Sequence, residues 1–290
     1  MTEKARAMDA GAMQIILGGG GQLGRALKHR LGARAVSLSH PQADITEPRA
    51  VRDALARLGP AVVFNCAAYN DVDRAEFEPE TAFAVNAIGV RDLATACTEH
   101  GAVFVHFSTN YVFGLDAARR TAYAESDAPG PLSVYGASKL AGEYFARAAC
   151  PRHYVVRTCG LYGESDSNFV AKILKLGRAG KPLRVVNDRV CTPTSVADLA
   201  DAALALVVTG AFGLYHITNG GACSWHEFAQ AILEEAGLAE TVQAISSAEY
   251  GTAAARPEYS VLSCAAYQAL GLPPLRDWRT ALKAFGGGEK

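Results

Sequence analysis

Met13-Gln14-Ile15-Ile16-Leu17-Gly18-Gly19-Gly20-Gly21-Gln22-Leu23-Gly24-Arg25-Ala26-Leu27-Lys28-His29-Arg30-Leu31 is the stretch that decides the fold. A short apolar run breaks into glycines, and a helix-like segment follows. Read as strand, turn and helix, the spacing Gly18-x-x-Gly21-x-x-Gly24 lets backbone N–H groups from Gly20 to Leu23 approach a pyrophosphate. The aligned peptide dipoles at the helix N-terminus favour that negative charge. A glycine-rich loop alone is often only a turn. Its position directly after the first strand and before a helix is what points to a dinucleotide.

Outward from this stretch, apolar runs and helical patterns alternate. Ala35–Ser39 reads as a second strand, Ala61–Tyr69 as a third, Val103–Thr109 as a fourth and His153–Thr158 as a fifth. That alternation predicts an α/β fold: a doubly wound parallel (Rossmann) sheet with ligands over the carboxyl ends of its strands. The second strand ends in Ser39-His40, where an NAD-selective site often carries a carboxylate. Without that acid a 2′-phosphate is not repelled, so NADP(H) is favoured and NAD(H) stays open. Asp44 and Ile45 could serve the adenine, with Asp44 as a helix N-cap the equal alternative. The third strand runs out into Cys66, Ala67, Ala68 and Tyr69, where small side chains would let a cofactor lie against the strand end.

The chain has 290 residues, half of them hydrophobic, enough for one large α/β domain or two smaller ones. A formal charge of −1 with scattered Lys and Arg gives no basic face for nucleic acid or an anionic membrane. Seven cysteines, odd in number and without a C-x-x-C, argue against a disulfide framework and against zinc. They read as thiols in a reducing cytoplasm, and no metal is expected. No apolar run approaches a membrane span. Residues 1–12 are expected to be a disordered leader, with the folded chain starting near Met13.

Ser133-Val134-Tyr135-Gly136-Ala137-Ser138-Lys139 opens a helical pattern that places Tyr135 and Lys139 one turn apart on one face. An ammonium beside a phenol would lower its pKa and fit it for proton transfer near neutral pH. A lone Y-x-x-x-K is common by chance, so context must decide. Ser108-Thr109 ends the fourth strand, and alternation of strand side chains allows only one of the two hydroxyls to reach a substrate carbonyl beside Tyr135.

Taken together, Gly18–Gly24, Val72-Asp-Arg-Ala-Glu76, Ser108-Thr-Asn-Tyr-Val-Phe113 and Tyr135-Gly-Ala-Ser-Lys139 resemble the extended short-chain dehydrogenase/reductases, and within them the dTDP-4-dehydrorhamnose reductase family. The likeness runs from Met13 to Trp278, through Gly213–Ile217, Ser224–Phe228 and Arg256-Pro257. It implies an NAD(P)H-dependent reductase of a 4-keto deoxysugar nucleotide, dTDP-4-dehydro-L-rhamnose first. Tyr135, Lys139 and Thr109 would be catalytic, and Ser108 would support the cofactor. Further cofactor contacts are implied for Gly18, Gly20, Gly21, Gln22, Leu23, Gly24, Ser39, Asp44, Ile45, Cys66, Ala67, Ala68, Tyr69 and Asn86. Substrate contacts are implied for Val72, Thr109, Asn110, Tyr111, Gly160, Asn168 and Arg256, with Arg189 and Arg256 as the cations for a diphosphate.

The dinucleotide-binding domain is expected over 13–158 with returning segments near 184–220. A smaller substrate domain is expected over 159–183 and 221–280, and a homodimer is left open. Trp225 and Phe228 read as core. Asn110, Gly160 and Asp71 depart from the family's aspartate, tryptophan and small residue. They bear on which sugar is bound and leave Tyr135, Lys139 and Thr109 in place. The alternatives are a reductase of another dTDP-keto or aldehyde sugar, and an NADP-binding regulatory subunit without catalysis. Epimerase or dehydratase chemistry usually needs a further acid near the threonine, which Asn110 is not.

Overall fold

The computed structural model describes residues 12–238 and 241–286, so the expected leader falls almost wholly outside the described residues. The chain begins with β1 (Gln14–Leu17), α1 (Gln22–Leu31), β2 (Ala35–Leu38), α2 (Pro48–Leu58) and β3 (Val62–Asn65). It continues through α3 (Gly89–Glu99), β4 (Val103–Thr109), α4 (Val134–Ala149), β5 (His153–Thr158), α5 (Phe169–Arg178), α6 (Val196–Thr209) and β6 (Gly213–His216). Two more helices close it, α7 (Trp225–Glu235) and α8 (Trp278–Gly286).

β1 to β6 form one sheet in the order β2-β1-β3-β4-β5-β6, every pair parallel. Strands buried on both faces need apolar residues in sequence rather than in alternation, and these have them. Ile16, Phe64, Val105 and Val156 face one side, where Leu27 of α1 and Leu199 and Leu206 of α6 pack. Ile15, Leu17, Val63 and Phe104 face the other, against Leu55 of α2 and Leu93 of α3. The strand order reverses between β1 and β3, which opens a crevice at their carboxyl ends. In register, Leu17 lies level with Asn65, and Asn65 with His106, so β4 overhangs this edge by Phe107, Ser108 and Thr109. At about 3.3 Å per residue that lifts the end of β4 about 10 Å above the crevice floor.

A second core holds Tyr162, Val170, Ile173, Phe228, Ile232 and Trp278. Here one expectation is corrected: Leu183–Val186 does not return to the main sheet but pairs with Val242–Ile245 in a separate parallel pair. Leu183 and Val185 pack into this second core, beside Phe228 and Ile232 of α7. All seven cysteines are free. No described helix is long and apolar enough to cross a membrane, and no described cluster of His, Cys, Asp or Glu could hold a metal ion.

Candidate active site

The crevice carries a cavity of about 680 Å³. Its floor is the glycine elbow. Gly18 has φ +70°, and a Cβ there would stand 2.5 Å from the Ala67 nitrogen. A Cβ on Gly24 would stand 2.7 Å from the Gly18 carbonyl oxygen. Glycine at both places lets β1, the elbow and the end of β3 touch backbone to backbone. Above Gly20 the space is open, and α1 has no acid in its first turn, while Lys28, His29 and Arg30 occupy its last. With Cys66, Ala67 and Ala68 small along one wall, this surface fits the pyrophosphate of a dinucleotide. The elbow is also strapped to the second unit. Gln22 Nε2 donates to the Leu161 carbonyl at 3.2 Å, Asn168 Nδ2 donates to Gln22 Oε1 at 3.2 Å, and Arg25 bonds the Gly20 and Glu164 carbonyls.

Tyr135 and Lys139 enter from α4, whose N-terminus is fixed by the Ser133 hydroxyl accepting from the Gly136 N–H at 3.1 Å. Both side chains line the cavity, yet Tyr135 is only 9% exposed and Lys139 2%. Lys139 Nζ donates to the Phe107 carbonyl at 2.7 Å. The two hydroxyls at the end of β4 separate as strand alternation requires. Ser108 Oγ donates to Glu143 Oε1 at 2.5 Å, while the Thr109 hydroxyl lies on the Tyr135 side and favours its phenolate. Thr109 Oγ1 also accepts from the Tyr111 N–H at 3.1 Å and lies 3.2 Å from Asn110 Oδ1, and Asn110 is oriented by its bond to Ser260 Oγ at 2.7 Å.

The electrostatics differ from expectation. Burial pushes Tyr135 up to about 12, opposed chiefly by the Thr109 hydroxyl, and Lys139 is not among the groups that move it. Burial pushes Lys139 itself down to about 8, opposed by Glu143. Desolvation outweighs the expected tuning of the phenol by the amine because both groups lie under protein, and the amine is turned to the Phe107 carbonyl.

Of the other residues singled out in the sequence, Gln22, Leu23, Val72, Asn110, Tyr111, Gly160 and Asn168 line the cavity. Gly18, Ser39, Asp44, Ile45, Tyr69, Asn86 and Arg256 do not. Asn86, in a π-helical turn over Ala84–Ile88, clamps the Tyr69 backbone through bonds of 2.9 and 3.0 Å and reaches Ser138 Oγ at 3.0 Å. Tyr69 Oη donates to Glu78 at 2.8 Å. Asp44 is not the cap of the following helix, whose N-cap is Glu47; it accepts from the Thr46 N–H at 2.9 Å and pairs with His40. Ile45 is core, 3% exposed. Ser39 Oγ is held by Gln42. Arg256 forms a two-pronged pair with Asp73 at 2.6 and 2.9 Å, and Asp71 caps the short helix Val72–Ala75. Trp225, read as core, is a cavity residue: it packs edge-on against Phe169 at 4.7 Å, and its Cη2 is 3.6 Å from where a Cβ on Gly160 would be.

A parallel doubly wound sheet with its glycine elbow at the reversal point places this chain among the Rossmann-type dinucleotide-binding α/β proteins. More narrowly, residues 13–286 match the family described as RmlD substrate binding domain, and the chain belongs to that family. It is 42% identical to the dTDP-4-dehydrorhamnose reductase of Streptomyces griseus, covering 92% of this chain and 91% of that one. It is 40% identical to a Streptomyces antibioticus protein named "Probable dTDP-4,6-dihydroxy-2-methyloxan-3-one 4-ketoreductase", with 93% and 92% covered. The solved dTDP-4-dehydrorhamnose reductase of Bacillus anthracis str. Ames, in complex with NADP, superposes with a TM-score of 0.92 at 38% identity over 94% of this chain and 98% of that one.

Proposed function

We propose that this protein is an NADPH-dependent reductase of the 4-keto group of dTDP-4-dehydro-L-rhamnose. The observation that carries the reading is the meeting of Tyr135, Lys139 and Thr109 in one cavity whose floor is the glycine elbow. The named activity of the S. griseus relative and the NADP of the B. anthracis structure support it. NADPH bound on the elbow supplies the hydride. Tyr135, a phenol at neutral pH, gives its proton to the substrate oxygen as negative charge develops there, and the Thr109 hydroxyl holds that oxygen. Lys139 has three N–H donors and spends one on Phe107, which leaves two for the cofactor's ribose. No carboxylate stands at the end of β2 beside Ser39, which favours NADPH over NADH. Arg256 and Arg189 are the cations for the diphosphate. Arg189 stands half-buried and is pushed down by burial and by Arg256, while Arg256 is held by Asp73. A cytoplasmic location belongs to this reading, and a homodimer is its simplest assembly.

A second substrate reading has its own observation. Gly160 has φ +54° and lines the cavity, and Trp225, 3.6 Å from where its Cβ would be, closes the wall at the place where the family it resembles has a tryptophan after Arg157-Thr158-Cys159, so the wall that meets the sugar is differently built. The S. antibioticus relative is named for a different dTDP-linked substrate. A panel of dTDP-4-keto sugars, followed by loss of reduced nicotinamide absorbance, decides. Fastest turnover with dTDP-4-dehydro-L-rhamnose is the expected result. Preference for another sugar transfers the assignment, and NADPH binding without oxidation on any sugar makes the chain a regulatory binding protein.

A further inference from the structure

We propose that Glu143 is a positioning residue for this reduction: one turn beyond Lys139 on α4, its carboxylate is the counter-charge that keeps the buried ammonium protonated beneath the cavity. The inference rests on the reading of the site given above.

Glu143 is 1% exposed and lies behind the cavity wall. It ties three elements together. Ser108 Oγ of β4 donates to its Oε1 at 2.5 Å, Arg157 Nε of β5 bonds both oxygens at 2.9 and 3.1 Å, and Arg157 Nη2 donates to Oε2 at 2.6 Å. Ser108 adjoins Phe107, whose carbonyl holds Lys139, so the carboxylate and the ammonium grip successive residues of the same overhanging strand end. Arg157 Nη1 stands 3.4 Å from His216 Nε2, and His216 Nδ1 faces the Tyr123 and Ser263 carbonyls at 3.1 Å.

The groups around Lys139 leave few sources of negative charge. Tyr135 on its own helix is a neutral phenol. Cys66, past β3, is a thiol pushed far up by burial. His106 on β4 is pushed well below its ordinary value by burial and by Lys139, so it is neutral. His216, behind Arg157, is down to about 3 and also neutral. Among the described residues Glu143 is therefore the anion that opposes the desolvation of Lys139.

The sign follows directly. As pH rises, Lys139 at about 8 loses its proton well before Tyr135 at about 12, so the alkaline limb of the kcat/KM profile belongs to the amine. Removing the carboxylate lowers the amine's pKa further and moves that limb to lower pH, by about one unit, the low end of what one nearby opposite charge does.

The test is the pH profile of dTDP-4-dehydro-L-rhamnose reduction for wild type, Glu143→Gln and Glu143→Asp. A parallel titration follows the ε-13C resonance of Lys139, assigned by its loss in Lys139→Met. Glu143→Gln should shift the limb and the resonance midpoint to lower pH together, and Glu143→Asp should restore both. A merely structural role would lower kcat or the melting temperature without moving either midpoint. Because Glu143→Gln leaves Arg157 unmatched in the core, the double variant Glu143→Gln/Arg157→Met is measured alongside, and the same acid shift is expected. An unmoved Lys139 midpoint in a folded variant overturns the inference. A wild type that turns over no ketosugar overturns the functional reading instead, and the resonance titration still decides the role of Glu143.

Discussion

Replacing Gly24 by alanine tests whether the elbow works by close approach. The added Cβ would lie 2.7 Å from the Gly18 carbonyl oxygen and 2.8 Å from the Gly19 Cα, against an ordinary contact of at least 3.4 Å. The elbow must therefore shift by about 0.7 Å, and the atoms in the way are backbone, which cannot swing aside. Two effects oppose each other in stability. Alanine inside a helix is better than glycine by about 1 kcal/mol, while overpacking costs about 1–3 kcal/mol. The net change is small, on the order of 1 kcal/mol, and moves the melting temperature only ~2–4 °C for a chain of this size. Cofactor binding has no such compensation. Charge-assisted bonds from elbow N–H groups to a pyrophosphate are worth ~1.5–3 kcal/mol each, so spoiling one of them weakens NADPH binding ~10–100-fold. Nicotinamide fluorescence titration and a thermal melt on the same sample separate the two effects. An affinity within twofold of wild type in a folded Gly24→Ala protein would refute the placement of the pyrophosphate on this elbow.

Tyr135→Phe should cut kcat by ~10²–10⁴, the usual worth of a positioned proton donor, and leave NADPH affinity unchanged because Lys139 is anchored on Phe107 independently of the phenol. Retention of more than about a tenth of the wild-type rate would remove Tyr135 from the chemistry. Trp225→Ala should raise KM for the sugar nucleotide about tenfold, the value of one lost ring contact, without altering NADPH affinity. Trp225→Phe should fall between, and an unmoved KM in both would return this ring to the second core.

What could be read from the sequence was what is decided locally. The order of β1, elbow and α1 follows from a glycine spacing with one steric solution, and α4, α5 and α7 begin where Ser133, Asn168 and Ser224 cap them. What could not be read depends on partners far along the chain. The apolar run Leu183–Val186 gives no sign of which strand it will join. Asn86 lies in an ordinary helical pattern, and only its π-turn places the amide against Tyr69. Ser224 caps α7 with a box that Glu227 completes. Periodicity still cannot tell that the first residue, Trp225, turns to the cavity while Phe228, one turn on, turns to the core.

The same distinction governs the proton chemistry. A tyrosine and a lysine one turn apart suggest an acidified phenol, but their ionisation is fixed by how much protein covers them, which is a property of the whole fold. Here the phenol near 12 and the amine near 8 lie about four pH units apart, on the same side of neutrality. At neutral pH the site holds a protonated donor and a cation together, the pair needed to deliver a proton to a developing alkoxide. The reverse reaction, oxidation of an alcohol, would need the phenolate as base, and burial with only Thr109 to stabilise it makes that form scarce. The cover over Tyr135 comes from Tyr69, Val72, Ala75, Ala82 and Tyr111 packed around its ring, and it holds the phenol in its proton-donating form at neutral pH.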